Sequence, residues 1–136
     1  MKVKDKIIID LYQVLGKVFY AIAQTDRVIH QQEIDAIKES VRETWLNAEN
    51  TFDQFGSDSA HQIEIVVDSY FNGNQILTNA LDDLKEFIRV HPRLFTPELI
   101  KLIMKTAYKT ASAFAGRNKA ELVFLSQLRN LLELKD

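Results

Sequence analysis

Cysteine is absent from this chain of 136 residues, and glycine and proline are scarce, with four and two residues. Without cysteine the chain can form no disulfide and no thiolate metal site, and it has no cysteine nucleophile. The few glycines and prolines predict few turns and therefore long regular elements. The 17 Lys and Arg nearly balance the 19 Asp and Glu, for a net charge of −2, which gives no electrostatic case for nucleic-acid binding.

A long hydrophobic run is also missing from the N-terminal residues. The chain begins basic over residues 1–6, but only three isoleucines, at 7–9, precede Asp10. That run is too short for the core of a signal peptide and far too short to span a bilayer. We therefore expect a soluble, cytoplasmic protein.

The apolar residues recur at steps of three and four, without the sustained alternation of a strand. This spacing predicts an all-α fold, a compact multihelical bundle of about six or seven helices. The length predicts a single domain over residues 1–136. Within it we expect two similar halves, at about 6–47 and 97–134, around middle helices at about 57–91.

The two halves are predicted from an internal repeat. When the sequence is shifted by 88 positions, similar residues align without a gap. The aligned pairs are Leu11 with Leu99, Lys17 with Lys105, Tyr20 with Tyr108, Ala23 with Ala111 and Glu33 with Glu121. We interpret the chain as two copies of one helix–turn–helix unit, related by a pseudo-two-fold axis.

Local signals mark the helix ends. His30 and Glu33 have the spacing of a capping box at the start of the second helix, and Asn118 and Glu121 occupy the same places in the second copy. Further signals are Asn72-Gly73 and His91-Pro92 as helix stops, a helix start at Thr96-Pro97-Glu98, and a last helix with leucines at 122, 125, 128, 131 and 132.

At the turn and at its repeat the sequence resembles the TerB-like family, named for tellurite-resistance proteins. The family pattern is an apolar helix ending in Ala, an Asp-Gly turn, and a Glu that opens the next helix; residues 20–33 and 105–121 carry it here. Residues 62–68 are similar to the versions of stand-alone bacterial relatives. The resemblance implies an all-helical domain with a cytoplasmic role in bacterial stress or oxyanion resistance, at the inner membrane face with partner proteins.

Acidic residues of the TerB-like family have been proposed to hold divalent cations, and Asp26 and Glu33 are the matching positions. Arg27 stands where the family has glycine, and Phe114 stands at the position of Asp26 in the second copy. A symmetric two-metal site is therefore not expected.

The cluster of Asp26, His30 and Glu33 supports two interpretations. Two carboxylates and an imidazole within eight residues could ligate Mg, Ca or Zn. Alternatively, all three residues cap and close the turn. The repeat favours capping, because it keeps the cap and the glutamate but loses the aspartate.

Three further sets of polar residues stand out. His61, Glu64 and Asp68 share one helix face by their spacing, as do Lys101, Lys105 and Lys109, and Asp82, Asp83 and Glu86 form an acidic patch on the fourth helix. They could serve as a metal pair, an anion-binding stripe and a partner contact, respectively. In each case a solvated polar surface is the favoured interpretation.

An enzyme is not expected, because the chain has no glycine-rich phosphate loop and no nucleophile elbow around its serines. The leading hypothesis is a non-enzymatic interaction module, with a divalent cation at Asp26 and Glu33 as an addition. One alternative is a metal-assisted hydrolase that uses Asp26, His30 and Glu33. The other is a structural homo-oligomer that buries an extra apolar face.

Overall fold

The computed structural model of the chain describes residues 3–24, 29–48, 59–73, 79–112 and 119–133. The helices are α1 (Val3–Gln24), α2 (Gln31–Ala48), α3 (Ser59–Asn72), α4 (Ala80–Val90), α5 (Pro97–Ser112) and α6 (Lys119–Glu133), with one 3-10 turn at Pro92–Leu94. No strand occurs in these ranges, and the helices share one hydrophobic core. The predicted all-α bundle is confirmed.

Helix α1 is the centre of the bundle and contacts all five other helices. Its fully buried side chains lie on more than one side: Leu11, Leu15, Val18, Phe19, Ile22 and Ala23. By length and composition the span Lys6–Gln24 could also cross a membrane, but most of it is buried inside the bundle. The core helix of a soluble protein has the same properties, so this span is weak evidence for a membrane segment.

Gly16 lets α1 approach α3 closely. A Cβ atom at this position would lie 2.6 Å from Cγ1 and 2.8 Å from Cβ of Val66, and 3.4 Å from the carbonyl oxygen of Ile63. Contacts below 3.0 Å do not occur at real Cβ atoms. The absence of a side chain at residue 16 therefore sets the distance between these two helices.

Several predicted helix ends are confirmed. Helix α3 ends at Asn72, and the N–H of Gly73 donates to the carbonyl of Ser69 at 3.1 Å. At the start of α5, Thr96 Oγ1 accepts the N–H of Leu99 at 3.2 Å, as an N-cap does.

Helix α4 ends at Val90, immediately before His91-Pro92, as predicted from the proline. The short turn Pro92–Leu94 that follows was not predicted. Residues 76 and 77, which fall within the predicted middle helices at about 57–91, lie outside the described residues.

Helix α2 lies between α3 and α5, and ion pairs join it to both. Toward α3, Lys38 Nζ lies 3.1 Å from Asp68 Oδ2 and Arg42 Nη2 lies 2.7 Å from Glu64 Oε1. Glu64 is only 9% exposed. The prediction of a solvated face is therefore wrong at Glu64, which Arg42 of α2 pairs with, whereas His61 is exposed and Asp68 is partly exposed.

Toward α5, the contact includes a buried hydrogen bond. Trp45 Nε1 donates to Thr106 Oγ1 at 3.0 Å, and that hydroxyl in turn donates to the carbonyl of Leu102 at 2.9 Å. The edge of the Trp45 ring also meets the ring of Tyr12 on α1, with centroids 6.4 Å apart. One side chain thus connects α2, α5 and α1.

Equivalent parts of the two copies are helical. Residues 97–112 of α5 match residues 9–24 of α1, and residues 119–133 of α6 match residues 31–45 of α2, each pair 88 residues apart. The surroundings differ, however: α2 packs extensively on α3 and α5, whereas α6 makes smaller contacts with α5, α1 and α4. The two copies share helical structure but not their neighbours, and the pseudo-two-fold axis stays a prediction.

Candidate functional site

The turn residues His30 and Glu33 form the predicted cap of α2. Glu33 Oε1 accepts the backbone N–H of His30 at 2.9 Å, and the N–H groups of Glu33 and Ile34 donate to the carbonyl of His30 at 3.0 and 3.3 Å. This is the glutamate half of a capping box. One carboxylate oxygen of Glu33 is therefore engaged with the backbone, while the side chain of His30 is exposed.

The third member of the predicted metal cluster, Asp26, lies outside the described residues. Among the residues that are described, no three His, Asp or Glu side chains come together as they would to hold a metal ion. The divalent-cation site at Asp26 and Glu33, with His30 as a further ligand, stays a prediction.

The acidic set on α4 divides into different environments. Asp83 Oδ2 lies 2.5 Å from Lys17 Nζ on α1. The hydrogen bond from Lys17 to Asp83, together with the nearby Tyr70, raises the pKa of Lys17 although its partial burial opposes this. Asp83 is thus a link between α1 and α4, and the expected open acidic surface is wrong for this residue.

Glu86 belongs to the exposed part of the same set. Its two oxygens accept hydrogen bonds from Arg89 at 2.5 and 3.0 Å, and these bonds lower the pKa of the carboxyl group. Asp82 is exposed. Glu86 and Asp82 therefore fit the predicted solvated polar surface.

The lysine stripe on α5 is exposed, as its spacing of four predicted. Lys101, Lys105 and Lys109 all face solvent. Lys109 Nζ lies 3.1 Å from Glu43 Oε2 on α2, so one of the three charges is neutralised by a neighbouring helix. The remaining stripe is too short to define a binding site for an anion.

The outer surface of α6, by contrast, carries apolar side chains that solvent reaches. Leu122 is 49% exposed and Val123 is 48% exposed. The residue that aligns with Leu122 in the first copy is Ile34, which is 0% exposed, and Asp35 aligns with Val123. Leu122 belongs to the row of leucines in the last helix, and it is exposed because no described helix covers α6 there.

At two other positions, α6 has charged residues where α2 has buried apolar ones. Val41 and Trp45 are buried on α2, and their counterparts on α6 are Arg129 and Glu133, both exposed and joined by a hydrogen bond of 3.0 Å. Charged residues thus replace the apolar ones where cover is missing. Leu122 keeps an apolar side chain under the same conditions, which singles it out.

Two clefts flank α6. The larger lies between α4 and α6, has a volume of about 580 Å³, and is lined by Lys85, Ile88, Arg89, Pro92, Gln127, Asn130 and Leu131. The smaller lies between α5 and α6, has a volume of about 270 Å³, and is lined by Ile100, Met104, Tyr108, Arg129, Leu132 and Glu133. We call α6 with Leu122, Val123 and these two clefts the α6 surface.

Sequence reasoning did not single out the α6 surface as a site. Residues 122 and 123 cannot both belong to one narrow helix stripe, since neighbours in a helix point about 100° apart. The sequence signal for an exposed apolar residue was therefore the pair Leu122-Val123 in the first turn of α6. Whether such a pair is buried depends on which helix covers α6, and the tertiary fold decides that.

Comparison of the chain with protein-family models, with curated proteins and with solved structures finds no match.

Proposed function

We propose that the chain is a non-enzymatic interaction module of the TerB-like kind, acting in a bacterial stress response, and that it binds a partner protein through the α6 surface. The single observation that supports binding there is the half-exposure of Leu122 and Val123 beside each other, where the matching Ile34 is fully buried. The family assignment and the cytoplasmic location rest on the resemblance of residues 20–33 and 105–121.

The physical argument concerns the contrast within the chain. Isolated exposed apolar residues are ordinary on protein surfaces. Here, however, two adjacent apolar residues are half-exposed in the first turn of α6, the helix that both clefts flank and whose internal counterpart is enclosed. Contiguous apolar surface with a polar rim is characteristic of protein–protein interfaces.

Affinity capture from a bacterial host that carries the gene tests this function. We expect proteins that co-purify with the chain to be lost with a variant carrying Leu122→Ser and Val123→Ser. The matched control is Ile65→Ser on α3, which removes an apolar side chain that is 48% exposed away from α6. Equal loss with Ile65→Ser, or capture that the double variant leaves unchanged, would contradict the proposal.

A second copy of the chain is the other candidate occupant, because the same apolar surface could be buried in a homo-oligomer. Light scattering at several protein concentrations distinguishes the two. We expect a monomer in the absence of a partner. An oligomer that Leu122→Ser and Val123→Ser dissociate would favour the structural homo-oligomer.

The divalent cation belongs to this proposal as an addition. Calorimetric titration with Ca, Mg, Zn and Mn on the wild type and on Asp26→Ala tests it. We expect heat of binding with the wild type that Asp26→Ala abolishes. Equal heat from both proteins, or none from either, would exclude a cation held by Asp26 and Glu33.

A further inference from the structure

The cleft between α4 and α6 carries positively charged side chains. Lys85 and Arg89 belong to its wall, and none of its described lining residues is acidic. Lys85 is exposed and makes no ion pair with any residue that the structure describes. Arg89 is paired with Glu86 beside the cleft, so Lys85 supplies the uncompensated positive charge of the described lining.

Arg89 retains hydrogen-bonding capacity toward the cleft. Its Nε and Nη2 atoms donate to Glu86, which leaves Nη1 for another acceptor. A guanidinium group has five N–H donors in a planar fork and can serve two carboxylates at once. Arg89 can thus hold a second carboxylate without losing the first.

The floor of the cleft is apolar. Ile88 is buried at its base, Leu131 is half-buried, and Pro92 is exposed at one end. Amide side chains of Gln127 and Asn130 provide donors and acceptors along the α6 wall.

Helical spacing extends this wall beyond the cleft. Val123 precedes Gln127 by four residues and Leu131 by eight, so the three lie along one side of α6. Val123 is half-exposed, so it adds an apolar contact about one helical turn beyond the cleft, separated from Leu131 by the polar Gln127. An elongated partner fits this shape better than a small molecule, which requires a more enclosed pocket.

We propose that the cleft between α4 and α6 binds an acidic amphipathic peptide segment of a partner protein. Apolar side chains of the segment lie on Ile88, Leu131 and Val123, and its carboxylates pair with Lys85 and Arg89. This inference rests on the proposed function and specifies the chemistry of the partner. A helix in a groove with apolar anchors and charged flanks is a recurrent mode of peptide recognition.

A display selection tests the proposal. Random peptides of about four helical turns are selected on the intact chain, and the enriched peptides are labelled and titrated by fluorescence anisotropy. We expect enriched peptides to combine apolar residues at helical spacing with Asp and Glu. We also expect NMR shift changes at residues 85–92 and 123–131 on peptide addition.

Charge-reversal variants provide the matched comparison. Lys85→Glu with Arg89→Glu is expected to weaken binding roughly tenfold or more, because two attractive pairs become repulsive. Lys101→Glu with Lys105→Glu makes the same change in net charge on α5 and is expected to leave the affinity within about twofold. Raising the salt concentration from about 0.05 to about 0.5 M should also weaken the wild-type complex.

Three results would overturn the proposal, and they separate it from the proposed function. Equal weakening by both charge-reversal pairs would show a response to net charge alone. Enriched peptides that are basic, or that shift residues of the α5–α6 cleft instead, would exclude this occupant but leave the α6 surface as an interaction site. Failure to enrich any peptide would count against both.

Discussion

Gly16 shows how one residue sets the distance between two helices. A methyl group there would meet Val66 well inside van der Waals contact, at 2.6 Å. Alanine favours the helix by about 1 kcal/mol over glycine, but overpacking costs about 1 to 3 kcal/mol. The steric cost should prevail, because α3 presents both its backbone and a β-branched side chain at this point.

We therefore predict that Gly16→Ala lowers the free energy of unfolding by about 1 to 2 kcal/mol. Adding Val66→Ala should recover part of this loss, since it removes the atom that the new methyl group meets. Urea denaturation of the wild type, both single variants and the double variant measures the coupling. Strictly additive effects would contradict the close approach.

The ion pair between Lys17 and Asp83 makes the free energy of unfolding depend on pH in the alkaline range. The hydrogen bond to Asp83 raises the pKa of Lys17 above its ordinary value of 10.5, so the folded chain holds this proton more tightly than the unfolded chain. The stabilisation is complete below pH 10.5 and is lost as the pH rises through the raised pKa. Burial raises the pKa of Tyr20 above 10.0, which acts in the same direction.

We predict that the free energy of unfolding falls as the pH rises above about 10, and that Lys17→Met makes this fall shallower. Lys105→Met is the matched control, because Lys105 is the counterpart of Lys17 in the repeat and is exposed. Thermal melts of the wild type and both variants across the alkaline pH range measure this loss of stability. An unchanged profile with Lys17→Met, or the same change with Lys105→Met, would argue against the pair.

Between elements, the contact of α2 with α5 depends on a polar group inside the core. Thr106 is fully buried and accepts the Trp45 indole hydrogen bond. Thr106→Val keeps the shape but removes this acceptor, which should cost about 1 to 3 kcal/mol. Thr106→Ser keeps the hydroxyl and should cost less; chemical denaturation compares the two. A loss as large with serine as with valine would assign the effect to packing instead.

Features of the helices that depend on residues close together in the sequence could be predicted, and features that depend on distant residues could not. The stops at Asn72 and Val90, the Thr96 cap and the Glu33 cap are local, and each follows from one or two residues. The burial of Glu64 and the link from Asp83 to α1 are not local. They depend on which helices become neighbours, and periodicity within one helix cannot supply that information.

For the whole molecule, equivalent parts of the repeat are helical, but the two copies have different neighbours in the bundle. Sequence similarity placed Ile34 and Leu122 in matching positions, and the bundle buries one and exposes the other. The same limit explains why the α6 surface was not predicted. Helix α6 belongs to the second copy, and its lack of a covering helix depends on how all the helices pack together.

This difference makes a prediction about stability. Ile34→Ala should lower the free energy of unfolding by about 2 to 5 kcal/mol, as truncation of a buried aliphatic side chain does. Leu122→Ala at the matching position should change it by about 0.5 kcal/mol or less. Parallel urea titrations measure both. Similar losses at the two positions would show that α6 is enclosed like α2.

The claim that α6 carries the binding surface is tested most directly by photo-cross-linking in living cells. A photoreactive amino acid replaces Val123 in one variant and Ile65 in another, two side chains that are each 48% exposed. We predict a discrete cross-linked partner from position 123 and none from position 65. Cross-links of equal yield at both positions, or at position 65 alone, would contradict the account.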